Sequence, residues 1–158
     1  MLTEKSNERL NKVHPLLAEK VRQLCEALER NGMHVQVVQG LRTFAEQNAL
    51  FAQGRTTPGQ RVTNARGGQS NHNFGLAVDL CPFVNGQPQW QDDAGFHKIG
   101  AEAKALKLEW GGDWRALIDM PHVQLPGLSM KDCNTIYNAT HSLQKVWDQA
   151  TKAFIEVK

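Results

Sequence analysis

The sequence is constrained most by a ten-residue stretch, Ser70 to Asp79, which presents one histidine and then one aspartate. His72 and Asp79 lie seven positions apart, whereas residues on one helical face lie three or four apart. Gly75, between them, would also weaken a helix. We therefore expect a loop that carries His72, followed by a strand that carries Asp79, with both side chains converging on one site.

A third polar group suited to this site is His122, in a segment that also predicts a strand. A catalytic zinc ion needs three protein ligands with nitrogen or oxygen donors and an open fourth position. His72, Asp79 and His122 would meet that requirement. Spacing alone leaves another explanation open, because any one of the six histidines could be an ordinary, partly buried residue.

Asp119 lies three residues before His122 and is a candidate for a catalytic base. Pro121 favours an extended conformation at Met120, which excludes a helical face shared by Asp119 and His122. A bend in this segment would instead turn the carboxylate towards the metal, where it could accept a proton from water. On spacing alone, Asp119 could equally form a turn or pair with a surface cation.

Composition predicts one globular domain spanning residues 1–158. The chain is 41% hydrophobic and 22% charged, as is usual for globular proteins, and its net charge of +2 gives no reason to expect a nucleic-acid partner. No stretch reaches the roughly 20 apolar residues that span a bilayer. Cys25, Cys81 and Cys133 form no Cys-x-x-Cys pair, so we expect buried free thiols rather than disulfides or a thiolate metal site.

Hydrophobic periodicity and turn residues predict an α+β fold with a small, mostly antiparallel sheet flanked by helices. Helices are expected at 15–30, at 43–53 with a Thr43–Glu46 capping box, from Asp92 or Asp93 to about 106, and at about 129–156. Strands are expected at 35–38, 75–84 and 121–125, with a hairpin at Asn85-Gly86. Residues 6–14 show no predicted element, 109–114 form a glycine-broken aromatic loop, and 54–73 form a long functional loop.

Three motifs together resemble those of the zinc peptidases related to D-Ala-D-Ala carboxypeptidases. They are Ser70-x-His72-x-x-Gly75-x-Ala77-x-Asp79, Glu109-Trp110-Gly111-Gly112-Asp113-Trp114 and Asp119-Met120-Pro121-His122-Val123-Gln124. The resemblance extends over about residues 6–125 and is greatest to the L-alanyl-D-glutamate endopeptidases, a branch that includes bacteriophage endolysins. It implies the compact fold shared by these carboxypeptidases and the hedgehog signalling domain. The C-terminal helix lies outside it.

The resemblance also implies roles for individual residues. His72, Asp79 and His122 match the zinc ligands, and Asp119 matches the general base, with Glu109 as a competitor for that role. The remaining candidates are Arg42, which would bind a substrate carboxylate or the developing oxyanion, Ser70, which would orient the loop or touch substrate, and Trp114, which would line the cleft. For Ser70 and Trp114, turn formation and simple packing are equally good explanations.

The implied reaction is hydrolysis of the peptidoglycan stem peptide between L-Ala and D-Glu by a monomeric zinc enzyme. A D,D-carboxypeptidase or dipeptidase would use the same site, and a metal-stabilised binding module without catalysis is a further alternative. The N-terminal segment, residues 1–9, is charged and lacks the apolar core of a secretory signal. For a phage endolysin this implies synthesis in the host cytoplasm and access to the wall through a separate holin-type permeabilising protein, without insertion of the enzyme in the membrane.

Overall fold

The protein is described here by a computed structural model covering residues 1–156. Within these residues the helices α1 to α6 span Glu4–Leu10, Pro15–Arg30, Phe44–Ala52, Asp93–Ala105, Met130–Thr140 and Leu143–Glu156. The strands β1 to β5 span His34–Gln39, Ala77–Val84, Gln87–Pro88, Glu109–Trp110 and His122–Gln124. Short 3-10 helices occur at Asn71–Phe74 and Gly111–Asp113.

The strands form one antiparallel sheet, in which β1, β2, β5 and β4 are neighbours in that order and β3 pairs with β2. Its two central strands, β2 and β5, are the ones that carry Asp79 and His122. The register sets these two residues directly opposite each other. Side chains of directly opposed residues project from the same face of an antiparallel pair, so the sheet itself brings the carboxylate and the imidazole together.

The hydrophobic core lies between the sheet and the helices α2 and α4. Both strand faces of β2 are buried, since Val78 and Leu80 alternate with Ala77 and Cys81 and all four are fully enclosed. The α2 helix contributes a stripe of buried residues at three- and four-residue spacing: Leu17, Val21, Leu24, Cys25 and Leu28. Full burial of each such leucine contributes about 1.5–3 kcal/mol. The predicted α+β class is confirmed.

Local sequence signals account for most element boundaries. The α2 helix has Pro15 in its first turn and stops before Gly32, which takes φ +76°. Both hydrogen bonds of the Thr43–Glu46 capping box are present at the start of α3. Asn85 and Gly86 both adopt positive φ in the turn that joins β2 to β3, as a two-residue hairpin requires.

Three sequence-based assignments were wrong. Residues 4–10 form a helix, α1, that the polar composition concealed; Thr3 caps it, and it buries only Ser6 and Leu10. Glu109 and Trp110 form a strand rather than a loop, because they pair with β5. The predicted single C-terminal helix is two helices, since His141 takes a left-handed conformation that ends α5.

The three cysteines are buried free thiols, as predicted. Burial raises the pKa of Cys25 to about 12, which keeps that thiol protonated.

Among residues 1–156, no helix combines the length and apolar character needed to traverse a bilayer. The single domain over 1–158 stays a prediction, and its last two residues, 157 and 158, lie outside the described part of the chain.

The C-terminal helices contact and stabilise the segment that contains His72. The indole Nε1 of Trp147, in α6, donates to the carbonyl oxygen of Phe74 at 2.7 Å. A Cβ on Gly75 would lie 3.2 Å from the same indole, so the two segments are in close contact. In α5, the Asn134 side chain donates to the carbonyl oxygen of Gly68 at 2.6 Å. The region beyond residue 129 therefore supports the loop of the predicted site from outside.

We predict that Trp147→Phe lowers the free energy of unfolding by about 1–3 kcal/mol, because the Phe74 carbonyl loses its donor in a partly buried setting. Urea unfolding of purified protein measures this. Trp90→Phe is the matched control, since that indole is 55% exposed and should be nearly neutral. Equal effects of the two substitutions would show that the Trp147 hydrogen bond does not brace the loop.

Candidate functional site

The side chains of His72, Asp79 and His122 converge at the floor of a cleft, with one potential ligand atom from each lying within 4.8 Å of the others. His72 Nε2 is 3.2 Å from Asp79 Oδ1 and 3.2 Å from His122 Nδ1. His122 Nδ1 is 3.5 Å from Asp79 Oδ1. The expected arrangement of a loop histidine, a strand aspartate and a second strand histidine is thus present.

Backbone contacts fix the position of His72. Its backbone N–H donates to the Ser70 hydroxyl, which caps the short 3-10 helix, and Gly75 ends that helix in a left-handed conformation with φ +64°. The carbonyl oxygen of His72 accepts a hydrogen bond from the backbone N–H of Arg42. In the ring, Nδ1 lies 2.9 Å from the carbonyl oxygen of Gly40, an acceptor only. Nδ1 therefore carries the proton, and Nε2 presents a lone pair to Asp79.

The His122 ring presents its Nδ1 to the site, whereas His72 presents its Nε2. Its Nε2 lies 2.8 Å from Gln124 Oε1, and its Nδ1 faces His72 and Asp79. With hydrogen on Nε2, the lone pair of Nδ1 points at the lone pair of His72 Nε2. Two facing nitrogen lone pairs and a carboxylate repel one another unless a cation lies between them. The arrangement is one that could hold a metal ion, and the outer hydrogen bonds that orient two such ligands are in place.

The donor spacing fits a zinc ion. Two ligand atoms about 2.0–2.1 Å from one zinc at the tetrahedral angle are about 3.3 Å apart. The three observed separations are 3.2, 3.2 and 3.5 Å. Two imidazole nitrogens and one carboxylate oxygen are also a ligand set that catalytic zinc accepts. The residues therefore suit the metal in chemistry and in spacing, while their assignment as ligands stays a prediction.

Asp79 is held as a carboxylate. Burial opposes its ionisation, but positive charge and hydrogen bonds from His72 and His122, when these rings are protonated, outweigh burial and lower the pKa of Asp79. With both rings neutral, a bound metal ion would supply that positive charge. Its second oxygen, Oδ2, is 3.8 Å from Nη2 of Arg42. Nη1 of Arg42 donates to the buried Gln47 at 2.8 Å, which keeps the guanidinium beside the site. Arg42 therefore lines the cleft and offsets the charge of Asp79, while its contact with substrate stays a prediction.

Asp119 lies at the edge of the same cluster, with Oδ2 3.9 Å from His122 Nδ1. A turn joins the two residues, since the backbone N–H of His122 donates to the carbonyl oxygen of Asp119. Burial raises the pKa of Asp119, and the nearby Asp79 carboxylate adds to this effect. Gly111 makes the close approach feasible, because a Cβ there would lie 2.5 Å from the Asp119 carbonyl oxygen. The bend expected from the sequence does bring the carboxylate to the site.

Glu109 is a poor candidate for the base because both of its oxygens are occupied. Oε1 accepts from the indole of Trp114 at 2.8 Å, and Oε2 accepts from Gln124 Nε2 at 2.9 Å. Its carboxylate is therefore held by Trp114 and Gln124 rather than by a contact with the three donors. Of the two carboxylates weighed for this role, only Asp119 has an oxygen facing the candidate ligands.

The cleft has a volume of about 650 Å³ and receives residues from several segments. The predicted long loop supplies one wall through Val62, Thr63, Asn64 and Ala65. Ser70 and Trp114 both line it, and the Trp114 ring is 4.9 Å from the ring of His122. Both residues also have structural contacts, so the structure leaves their substrate contacts as predictions.

Gln124 is the functional candidate that the sequence reasoning missed. It lies two residues after His122 on β5, and residues at that spacing point to the same face of a strand. The two-residue spacing from His122 was the sequence signal that could have identified Gln124. A polar side chain on the same strand face as a candidate ligand is placed to hydrogen-bond it.

Comparisons with known proteins show similarity over the segment that contains the site. A family model described as D-alanyl-D-alanine carboxypeptidase matches residues 63–125, which include all three candidate ligands and Asp119. The peptidoglycan L-alanyl-D-glutamate endopeptidase CwlK of Bacillus subtilis is 37% identical over 122 residues, covering 72% of this chain and 73% of that protein.

Two phage proteins, each called L-alanyl-D-glutamate peptidase, are also similar. The one from Escherichia phage T5 is 30% identical, with 70% of this chain and 79% of that protein covered. The one from Listeria phage A118 is 31% identical over 73% of this chain, which spans only 38% of that longer protein. Among solved structures, the L-Ala D-Glu endopeptidase ChiX of Serratia marcescens superposes with a TM-score of 0.59 at 28% identity, covering 80% of this chain and 90% of that one.

Proposed function

The chain belongs to the peptidase family of the D-alanyl-D-alanine carboxypeptidases and L-alanyl-D-glutamate endopeptidases, and on that basis we propose that it is a zinc-dependent peptidoglycan hydrolase that cleaves the L-Ala–D-Glu bond of the stem peptide. The observation that carries this proposal is the convergence of His72, Asp79 and His122 beside the carboxylate of Asp119. Relatives from a bacterium and from two phages, all of them named for this bond, support the choice of substrate.

The three donors would hold the metal through His72 Nε2, one oxygen of Asp79 and His122 Nδ1. A zinc ion there would act as a Lewis acid towards the scissile carbonyl and would make a water molecule acidic enough to react near neutral pH. The protein keeps the donors in place before binding, through Gly40 at one imidazole and Gln124 at the other.

Asp119 would move the proton that hydrolysis requires. Its carboxylate accepts one proton from the attacking water as the new carbon–oxygen bond forms. The carbon–nitrogen bond then breaks, and the same proton passes from Asp119 to the leaving amine. Burial raises the pKa of Asp119, which makes this carboxylate a stronger base than an exposed one.

Arg42 would fix the anionic part of the substrate. The stem peptide carries a free carboxylate on D-glutamate, and a guanidinium pairs with two carboxylate oxygens through its planar fork. Gln47 and Asp79 hold the Arg42 side chain at the cleft before substrate arrives. Less orientation is then needed in the complex, which favours a reactive geometry.

The bond that is cleaved is tested by mass spectrometry of purified peptidoglycan digested with the enzyme. The proposal predicts new L-alanine C-termini and new D-glutamate N-termini. The second candidate, D,D-carboxypeptidase activity, is favoured by the description of the matching family model and predicts release of terminal D-alanine instead. Release of D-alanine alone would overturn the endopeptidase assignment while leaving the metal site intact.

We predict that the purified protein binds about one zinc ion per chain, the stoichiometry of a single three-ligand site. His72→Ala, Asp79→Ala or His122→Ala should each abolish zinc binding or hydrolysis, because each removes one of three donors. Inductively coupled plasma mass spectrometry measures the metal. The matched control is His34→Ala, at an exposed histidine on β1, which should retain both properties. Full occupancy in all three site variants would refute the ligand assignment.

We predict that Asp119→Asn keeps zinc but lowers turnover by about 10²- to 10⁴-fold, the contribution of a positioned general base. Asp113→Asn is the control, since that carboxylate is exposed and pairs with Lys104. Steady-state hydrolysis of peptidoglycan, together with metal analysis, separates the two effects. Turnover close to that of the unsubstituted enzyme would remove Asp119 from the mechanism.

We propose a more specific role for this hydrolase in phage-induced lysis, supported by the two phage relatives. In this role the monomeric enzyme is made in the host cytoplasm and reaches the wall once a holin-type protein permeabilises the membrane. Expression in a bacterial host should then lower culture turbidity only with a pore-forming partner present, and His72→Ala should abolish the effect. Rapid lysis by the unsubstituted protein without a partner would contradict this route.

A further inference from the structure

Gln124 lies between His122 and Glu109 and hydrogen-bonds both. Its Oε1 is 2.8 Å from His122 Nε2, and its Nε2 donates to Glu109 Oε2 at 2.9 Å. The other oxygen of Glu109 accepts from the indole of Trp114 at 2.8 Å. These contacts form an unbroken series from the cleft wall to a candidate zinc ligand.

The direction of every hydrogen bond in this series is fixed from the Glu109 end. An ionised carboxylate only accepts hydrogen bonds, whereas the indole N–H of Trp114 only donates. The Gln124 amide group must therefore turn its NH2 towards Glu109, and its oxygen then faces His122. An oxygen acceptor at 2.8 Å selects the His122 tautomer with hydrogen on Nε2. That tautomer leaves the Nδ1 lone pair towards Asp79 and His72.

Asn71 does not fix this direction by itself. Its Nδ2 donates to Gln124 Oε1 at 2.6 Å, but its own Oδ1 is buried with no hydrogen-bond partner among the described residues. The Asn71 amide group can therefore reverse together with that of Gln124 without losing another contact. Glu109 is the member of the network whose chemistry admits only one orientation.

We propose that Glu109 is a positioning residue that, through Gln124, selects Nδ1 of His122 as the metal-binding nitrogen. The inference rests on the proposed zinc site and adds to it a cause for the ligand geometry. It also assigns Glu109, within the Glu109–Trp114 motif, a role other than that of the base. Trp114 completes the arrangement by holding the second oxygen of the carboxylate.

Glu109→Gln tests the proposal because it changes shape little but replaces one acceptor by a donor. The NH2 of the new amide group must then face another hydrogen-bond donor, either the Trp114 indole N–H or the NH2 of Gln124. Without metal, the network relaxes by reversing Gln124 and moving the His122 proton to Nδ1. Zinc must undo that relaxation, so we expect affinity in a chelator competition to fall about 10- to 100-fold, as for loss of an outer-shell partner.

Trp114→Phe supplies the compensating change. On its own it should leave zinc affinity near that of the unsubstituted protein, since the Glu109 carboxylate still orients Gln124. Combined with Glu109→Gln, it removes the competing N–H, so the new amide oxygen can accept from Gln124. We expect the double variant to regain the affinity of Trp114→Phe alone. A double variant no better than Glu109→Gln, or a Glu109→Gln variant with unchanged affinity, would overturn the proposal.

A second measurement reads the tautomer directly and needs no metal. Long-range 1H–15N correlation spectra of zinc-free protein, at a pH where the ring is neutral, should show His122 with hydrogen on Nε2, and Glu109→Gln should shift it to Nδ1. If the unsubstituted protein bound no zinc, the proposed function would fail, while this spectrum would still decide the role of Glu109. An Nδ1–H tautomer before substitution, or the same tautomer in both proteins, would overturn it.

Discussion

The structure depends on the mutual approach of three electron-rich atoms that would repel one another without a cation. His72 Nε2, His122 Nδ1 and an oxygen of Asp79 lie 3.2 to 3.5 Å apart at the cleft floor. Two of these residues face each other across the central pair of the sheet, so the register of β2 against β5 sets their separation. The third comes from a short helix held by backbone hydrogen bonds. Sheet pairing and a bound metal ion would therefore stabilise the same geometry.

Many of the contacts that hold the three side chains in place come from residues outside the three sequence motifs. Gly40 and Arg42 precede the His72 motif by about thirty residues, yet both hydrogen-bond His72. From the C-terminal side, α6 reaches back to the residue that ends the His72 helix. Asp119 depends on Gly111, which leaves room for the backbone of the turn. These contacts preorganise the site. Preorganisation matters because a small misplacement of catalytic groups slows a reaction greatly.

Sequence reasoning succeeded where a local signal exists. Periodicity and capping predicted α2, α3 and β2, and the motif resemblance predicted which side chains converge. It failed where the deciding contact is distant: Glu109 and Trp110 become a strand only by pairing with β5, and α1 is a helix with few buried residues. The division of the C-terminal helix at His141 gave no glycine or proline signal. The link from Glu109 through Gln124 to His122 needs three segments in place, so spacing could not reveal it.

The most direct test of the central claim is anomalous diffraction at the zinc absorption edge from crystals grown with zinc. We predict one strong peak in the cleft, about 2.0–2.1 Å from both His72 Nε2 and His122 Nδ1 and bonded to an oxygen of Asp79. A peak elsewhere on the protein, or coordination through His122 Nε2 with Nδ1 turned away, would contradict it.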